Sequence, residues 1–310
     1  MAWRCGLGGI VRVAAVIAVC LWAGASAIAG EGPVRAVATF SILGDLVREV
    51  GGRHVEVSTL VGPGSDVHSF SPSPGDARKL AGADLVVVNG LGLEGWIERL
   101  IRASGTKAPV VTASNGVPTI EEADPHGHAD HGHGAVDPHA WQSVANVKTY
   151  VANIRDGLAK VDPAHATDYA SAAADYSAKL DALDRDVRAA LSRIPAENRR
   201  LITTHDAFGY FAAAYGLKIM APQGLSTESE ASPRDVARII TQIRKEKVPA
   251  VFLETVTDPR QMERIARESG ARIGGEIYSD ALSPSDGPAP TYLAMIASNV
   301  KAFETALAPR

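Results

Sequence analysis

The 310-residue chain is long enough for two domains of about 150 residues each, and its 46% hydrophobic and 21% charged residues are those of a folded, core-forming protein. Thirty-one Lys and Arg against 35 Asp and Glu give a formal charge of −4, which argues against a nucleic-acid partner, because a phosphate backbone calls for a basic stripe. Aromatic residues at 5% argue equally against the stacking platforms of single-strand binders.

The first 29 residues read as an export signal. Arg4 and Arg12 form a basic start, Val13–Ala23 is a short apolar run, and Ala27-Ile28-Ala29 offers a small-residue cleavage site before Gly30. Ala25-Ser26-Ala27 is a second option for the cut, and an uncleaved anchor over Val13–Ala29 is the competing reading. Both cysteines, Cys5 and Cys20, lie in this segment, and Val19 is larger than the residue expected before a lipidated cysteine. Cleavage near Ala29 would remove Arg4 and Arg12, taking the formal charge from −4 to −6, and would leave a chain without disulfides.

Beyond the signal, short β-rich runs alternate with helical patterns. Strands are expected at Val34–Phe40, Val55–Val61, Leu85–Asn89 and Pro109–Ala113, with helices near Ile42–Val50, Gly75–Ala83 and Glu94–Ala103. That alternation predicts a largely parallel sheet built from βαβ units. The tract Asp124–Gly134 interrupts it and carries four of the nine histidines, His126, His128, His131 and His133. Such a tract has metal-ligand composition but too little apolar content to pack a core.

From Ala164 to about Arg193, apolar residues recur in steps of three and four at Tyr169, Ala173, Tyr176, Leu180, Leu183, Val187 and Leu191. Roughly 30 helical residues would span about 45 Å, long enough to run along two lobes. The alternation then resumes, with strands expected at Leu201–Thr204, Lys218–Ala221, Ala250–Glu254 and Arg272–Ile277. Helices are expected at Ala207–Tyr215, Pro233–Glu246, Pro259–Ser269 and Tyr292–Leu307. The fold class is therefore α/β. An N-terminal lobe (residues 30–162) and a C-terminal lobe (residues 196–310), each with a mostly parallel sheet, are joined by one long rigid helix (residues 163–195).

Gly90-Leu91-Gly92-Leu93-Glu94-Gly95 matches a dinucleotide-binding glycine pattern. The acid that should follow about 20 residues later to hold a ribose is absent, since the chain reads Ala113-Ser114-Asn115 there. No nucleotide is expected.

Three histidines stand at strand ends or in the loops that follow strands, where open α/β sheets gather their ligands. His68 lies in Gly62-Pro63-Gly64-Ser65-Asp66-Val67-His68-Ser69-Phe70, His139 in Asp137-Pro138-His139-Ala140-Trp141, and His205 ends Leu201-Ile202-Thr203-Thr204-His205. His54 and His165 read as structural or exposed.

The motifs Val67–Pro74, Asn89–Glu94, Asp137–Trp141, Thr204–Phe211 and Tyr278–Leu282, in this order, resemble the exported zinc- and manganese-binding solute-binding proteins of ABC transporters (cluster A-I), zinc-type. The resemblance runs from about Val34 to Ala308. It implies a metal in the cleft between the lobes, with ligands falling on His68, His139, His205 and Asp280. It also implies delivery to a membrane permease by a periplasmic protein, expected as a monomer. The tract at His126–His133 resembles the loop of zinc-specific members and would serve weak auxiliary capture.

Three neutral imidazoles and one carboxylate suit four-coordinate zinc, whereas a carboxylate in place of His205 would make a harder site suited to manganese. Zinc is thus expected, with manganese or another divalent ion the alternative. Imidazole ligands donate their second N–H to a carboxylate or carbonyl. The candidates for that role are Asp137, Glu228, Glu230 and Glu254, and Trp141 is expected to pack at the rim. A periplasmic zinc hydrolase is the main rival in another class. It is disfavoured by the fourth protein donor and by the lack of an H-E-x-x-H helix or a G-x-S-x-G turn. A surface adhesin is a second rival that nothing in the residues favours.

Overall fold

The structure, a computed structural model, describes residues 32–121 and 135–308. The signal segment and the histidines of residues 126–133 lie outside the described residues.

Two four-stranded sheets organise the chain, and all their strands run parallel. The N-terminal sheet has the order β2 (Val55–Val61), β1 (Val34–Phe40), β3 (Leu85–Val88), β4 (Val110–Thr112). The C-terminal sheet repeats that order with β6 (Lys218–Met220), β5 (Arg200–Ile202), β7 (Ala250–Glu254) and β8 (Arg272–Ile277). Inner strands covered on both faces are near-continuous apolar runs, and all four residues of β3, Leu-Val-Val-Val, are buried.

The crossovers of the N-terminal lobe are α1 (Ser41–Gly51), α2 (Pro74–Ala81) and α3 (Ile97–Ser104). Those of the C-terminal lobe are α6 (Gly209–Tyr215), α7 (Pro233–Glu246) and α8 (Arg260–Ser269), with α9 (Tyr292–Leu307) closing the chain. Local sequence explains several starts. Ser73 and Asp76 form a reciprocal cap on α2, and Ser232 caps α7 with Pro233 at the first helical position. Gly216 ends α6 at φ 72°, a left-handed conformation that favours glycine.

The long helix α5 (Ala166–Ser192) follows a short 3-10 turn at Pro163–His165 and spans about 40 Å. A helix not anticipated from the sequence, α4 (Val144–Val161), precedes it and packs along it. Its buried residues Val144, Val147, Val151, Ile154 and Leu158 keep helical spacing, so the signal was present. Helix α5 touches α1 and α4 of the N-terminal lobe and α6 and α9 of the C-terminal lobe. One apolar core therefore runs from the N-terminal sheet through α5 to Phe303 of α9, while a smaller core under α7 and α8 belongs to the C-terminal lobe alone.

His54 and His165 are structural, as expected. Their rings stack at 3.9 Å, His54 reaches Asp168 at 2.8 Å, and His165 reaches Asp162 at 2.7 Å. The glycine turn after β3 is held by Glu94, which accepts from the Asn89 backbone at 2.7 Å and from Thr39 at 2.6 Å, so its acid is spent on the turn itself.

Candidate metal site

Strand ends deliver the chemistry. His68 follows β2, His139 lies in the connection after β4, His205 follows β5, and Asp280 follows β8. The four side chains are buried, and one ligand atom from each lies within 4.8 Å of all the others. The Nε2 atoms of His68 and His139 are 3.3 Å apart, too close for both to carry a proton against each other. Asp280 Oδ2 stands 3.1 Å from His205 Nε2 and 3.5 Å from His68 Nε2, and its Oδ1 stands 3.7 Å from His139 Nε2.

Buried polar atoms ordinarily find partners. Here both Asp280 oxygens and His205 Nε2 lack a well-formed hydrogen bond, although the nitrogens and oxygens converge. That arrangement suits a cation at the centre better than a proton network. Burial alone would raise the Asp280 carboxyl, but His205 above all, then His68 and His139, hold it well below the usual carboxylate range. Burial alone would likewise lower His205. The Glu254 and Asp280 carboxylates on either side outweigh it and hold the imidazole well above the usual histidine range.

Two of the four acids named for orienting the histidines stand against an outer ring nitrogen. Asp137 Oδ1 lies 2.8 Å from His139 Nδ1, and Glu254 Oε2 lies 2.5 Å from His205 Nδ1. Each turns the Nε2 of its partner inward by engaging the other ring nitrogen. Glu254 also accepts from the Thr204 and His205 backbone at 2.7 and 2.9 Å, which locks the end of β5.

The other two are corrected. Glu228 and Glu230 are exposed on the loop between β6 and α7, where solvation replaces any need for a buried partner. Glu228 instead lines a cavity of about 700 Å³ with Ser69, Phe70, Trp96 and Arg99, beside the His68 loop. Trp141 is fully buried rather than at a rim, its ring 5.2 Å from that of His139.

Asp66 was missed. It accepts from the His68 backbone at 2.9 Å, as Asp137 does from that of His139. The repeated spacing Asp66-Val67-His68 and Asp137-Pro138-His139 was the available signal, an Asp turning its own backbone two residues on.

The family described as ZnuA, zinc-uptake complex component A, periplasmic, matches residues 36–306. The iron-binding protein YfeA of Yersinia pestis is 36% identical over 262 residues, 84% of this chain and 82% of that protein. The manganese-binding lipoprotein MntA of Halalkalibacterium halodurans is 34% identical over 279 residues, covering 90% of this chain and 89% of that one. The solved structure of the periplasmic zinc-binding protein TroA from Treponema pallidum matches with a TM-score of 0.83 at 31% identity, covering 90% of this chain and 100% of that one. With its fold and nearly all of its described length matched, the chain belongs to the periplasmic zinc-uptake component A family, whose members are metal-binding, substrate-binding proteins of ABC transporters and not enzymes.

Proposed function

We propose that this protein captures Zn2+ between its lobes with His68, His139, His205 and Asp280, and passes it to the membrane permease of an ABC importer. The observation that carries the reading is the convergence of three imidazole Nε2 atoms and one carboxylate, all buried, within 4.8 Å. Four ligands about 2.1 Å from a tetrahedral zinc ion stand about 3.4 Å from one another. With Asp280 Oδ2 as the oxygen donor, the separations of 3.1 Å to His205, 3.5 Å to His68 and 3.3 Å between His68 and His139 lie near that spacing, and all four donors stay within 4.8 Å of one another. Three nitrogen donors against one oxygen favour zinc over the harder manganese ion, whose preference is for carboxylate, carbonyl and water.

Export through the amino-terminal signal, cut near Ala29, puts the working protein in the periplasm as a monomer. The tract at His126, His128, His131 and His133 adds weaker capture by its composition.

Metal content settles the cargo. Protein purified without added metal or a histidine tag is expected to hold one equivalent of tightly bound zinc and to keep it against excess manganese and iron. Displacement of zinc by manganese or iron at comparable concentration would overturn the zinc reading. Replacing His205 by Ala should abolish tight binding, and wild-type affinity in that variant would overturn the assignment of the site.

A further inference from the structure

Three of the four donors are supported by a residue from the opposite lobe. On the His68 loop, Asp66 Oδ1 accepts from the His68 backbone, while its Oδ2 accepts from Thr227 Oγ1 of the C-terminal lobe at 2.6 Å. Beside His139, the Asp137 carbonyl accepts from the Tyr210 hydroxyl on α6 at 2.9 Å. A Cβ on Gly209 would stand only 2.6 Å from Asp137 Oδ2, so the α6 backbone walls in the very carboxylate that orients the imidazole. Next to Asp280, the Ser279 carbonyl accepts from Trp141 Nε1 at 3.0 Å and from Gln142 Nε2 at 2.8 Å, both from the N-terminal lobe. His205 is the exception. Its Nδ1 and its backbone N–H both meet Glu254, on β7 of its own lobe.

We propose that these cross-cleft hydrogen bonds make the donor geometry conditional on the apposition of the lobes, with Thr227, Tyr210 and Gln142 as positioning residues that set how long the metal is held. The inference rests on reading the four side chains as metal donors. Each bond fails once its partners separate by roughly 1 Å beyond the ordinary distance. A small parting of the lobes therefore withdraws support from His68, His139 and Asp280 together, while His205 keeps Glu254. Release then needs neither a wide hinge motion nor a change in any ligand. It needs only the loss of these four hydrogen bonds at once, a displacement that a docked permease can impose. Because the braces fail in one event, they should act as a unit, and their removal should accelerate departure of the ion rather than its arrival.

The test uses the purified full chain loaded with zinc, with dissociation followed by transfer to excess chelating dye and association measured separately. Thr227→Val, Tyr210→Phe and Gln142→Leu should each speed dissociation roughly fivefold, the factor for one hydrogen bond worth about 1 kcal/mol. Association should be little changed, and Thr227→Ser should restore the wild-type rate. Double variants should gain less than the product of the singles. Unchanged dissociation in all three variants, with binding abolished in His205→Ala, would overturn the bracing and leave the site intact. Wild-type binding in His205→Ala would instead overturn the site on which it rests. Slower association with a lowered metal-free unfolding midpoint, not rescued by Thr227→Ser, would assign the residues a purely structural role and also overturn the proposal.

Discussion

A single oxygen of Asp137 serves His139 twice. Oδ1 accepts the His139 backbone N–H at 2.9 Å and stands 2.8 Å from the Nδ1 of the same residue's ring. The backbone bond sets where the histidine sits and the ring bond sets its tautomer, leaving Nε2 bare toward the cleft. Glu254 flanks His205 with two oxygens instead, Oε1 accepting its backbone N–H and Oε2 standing 2.5 Å from its Nδ1.

Replacing Asp137 by Ala should therefore lower zinc affinity about 10- to 100-fold, the usual effect of losing such an outer partner. Asp66→Ala should cost less, because Asp66 engages only the backbone of His68 and not its ring. Competition against a chelator of known affinity ranks the two. An equal loss in both variants would show that tautomer control is not what Asp137 contributes.

Metal binding should release a proton at neutral pH. In the metal-free protein the two carboxylates flanking His205 keep its imidazole protonated well above the ordinary histidine range. A divalent ion needs that nitrogen bare, so affinity should rise with pH until His205 is neutral in the free protein and fall with acid. Calorimetry in buffers of different ionisation enthalpy reads the proton directly. A binding heat independent of the buffer would contradict the expectation.

Asp45 carries a stability cost at neutral pH. Burial raises its carboxyl to about 6, against the opposing hydrogen bond from the Tyr292 backbone at 2.7 Å. A raised carboxyl contributes stability that is fully present below the unfolded value near 4 and lost as pH rises through about 6. Asp45→Asn keeps an acceptor for Tyr292 without the charge. It should stabilise the metal-free protein by about 3 kcal/mol at pH 8 and by almost nothing at pH 4. Unfolding midpoints at the two pH values check this, and a gain independent of pH would rule out the ionisation as its source.

Deleting residues 124–134 should leave the tight site's affinity nearly intact and remove any weaker additional zinc. Because imidazole is the side chain that protonates in mild acid, any zinc the tract holds should be lost there. Titration of the deletion variant decides the point. Loss of the tight site would mean that the tract supplies a primary ligand.

Periodicity alone was enough for most of the architecture. Val34–Phe40, Val55–Val61, Ala250–Glu254, Arg272–Ile277, Pro233–Glu246 and Tyr292–Leu307 fall where their patterns put them, because pleat and helix repeats are properties of near neighbours in the chain. Helix α4 carries the same helical signal in the spacing of Val144, Val147, Val151, Ile154 and Leu158. His68, His139 and His205 were also legible, since strand ends mark where ligands gather, whereas Asp280 was named through the family resemblance and Asp137 and Glu254 only among four acids.

What only the tertiary structure decided is which residues stand behind the donors. Glu228 and Glu230 were as plausible on paper as Glu254, yet their loop is exposed while β7 carries Glu254 into the core. The bonds from Thr227 to Asp66, Tyr210 to Asp137 and Trp141 to Ser279 join positions 161, 73 and 138 residues apart. No local pattern encodes such pairs. They exist because α5 packs against both lobes and the loops after the strands of two separately written sheets meet, so that each lobe supplies hydrogen-bond partners to the other lobe's loops.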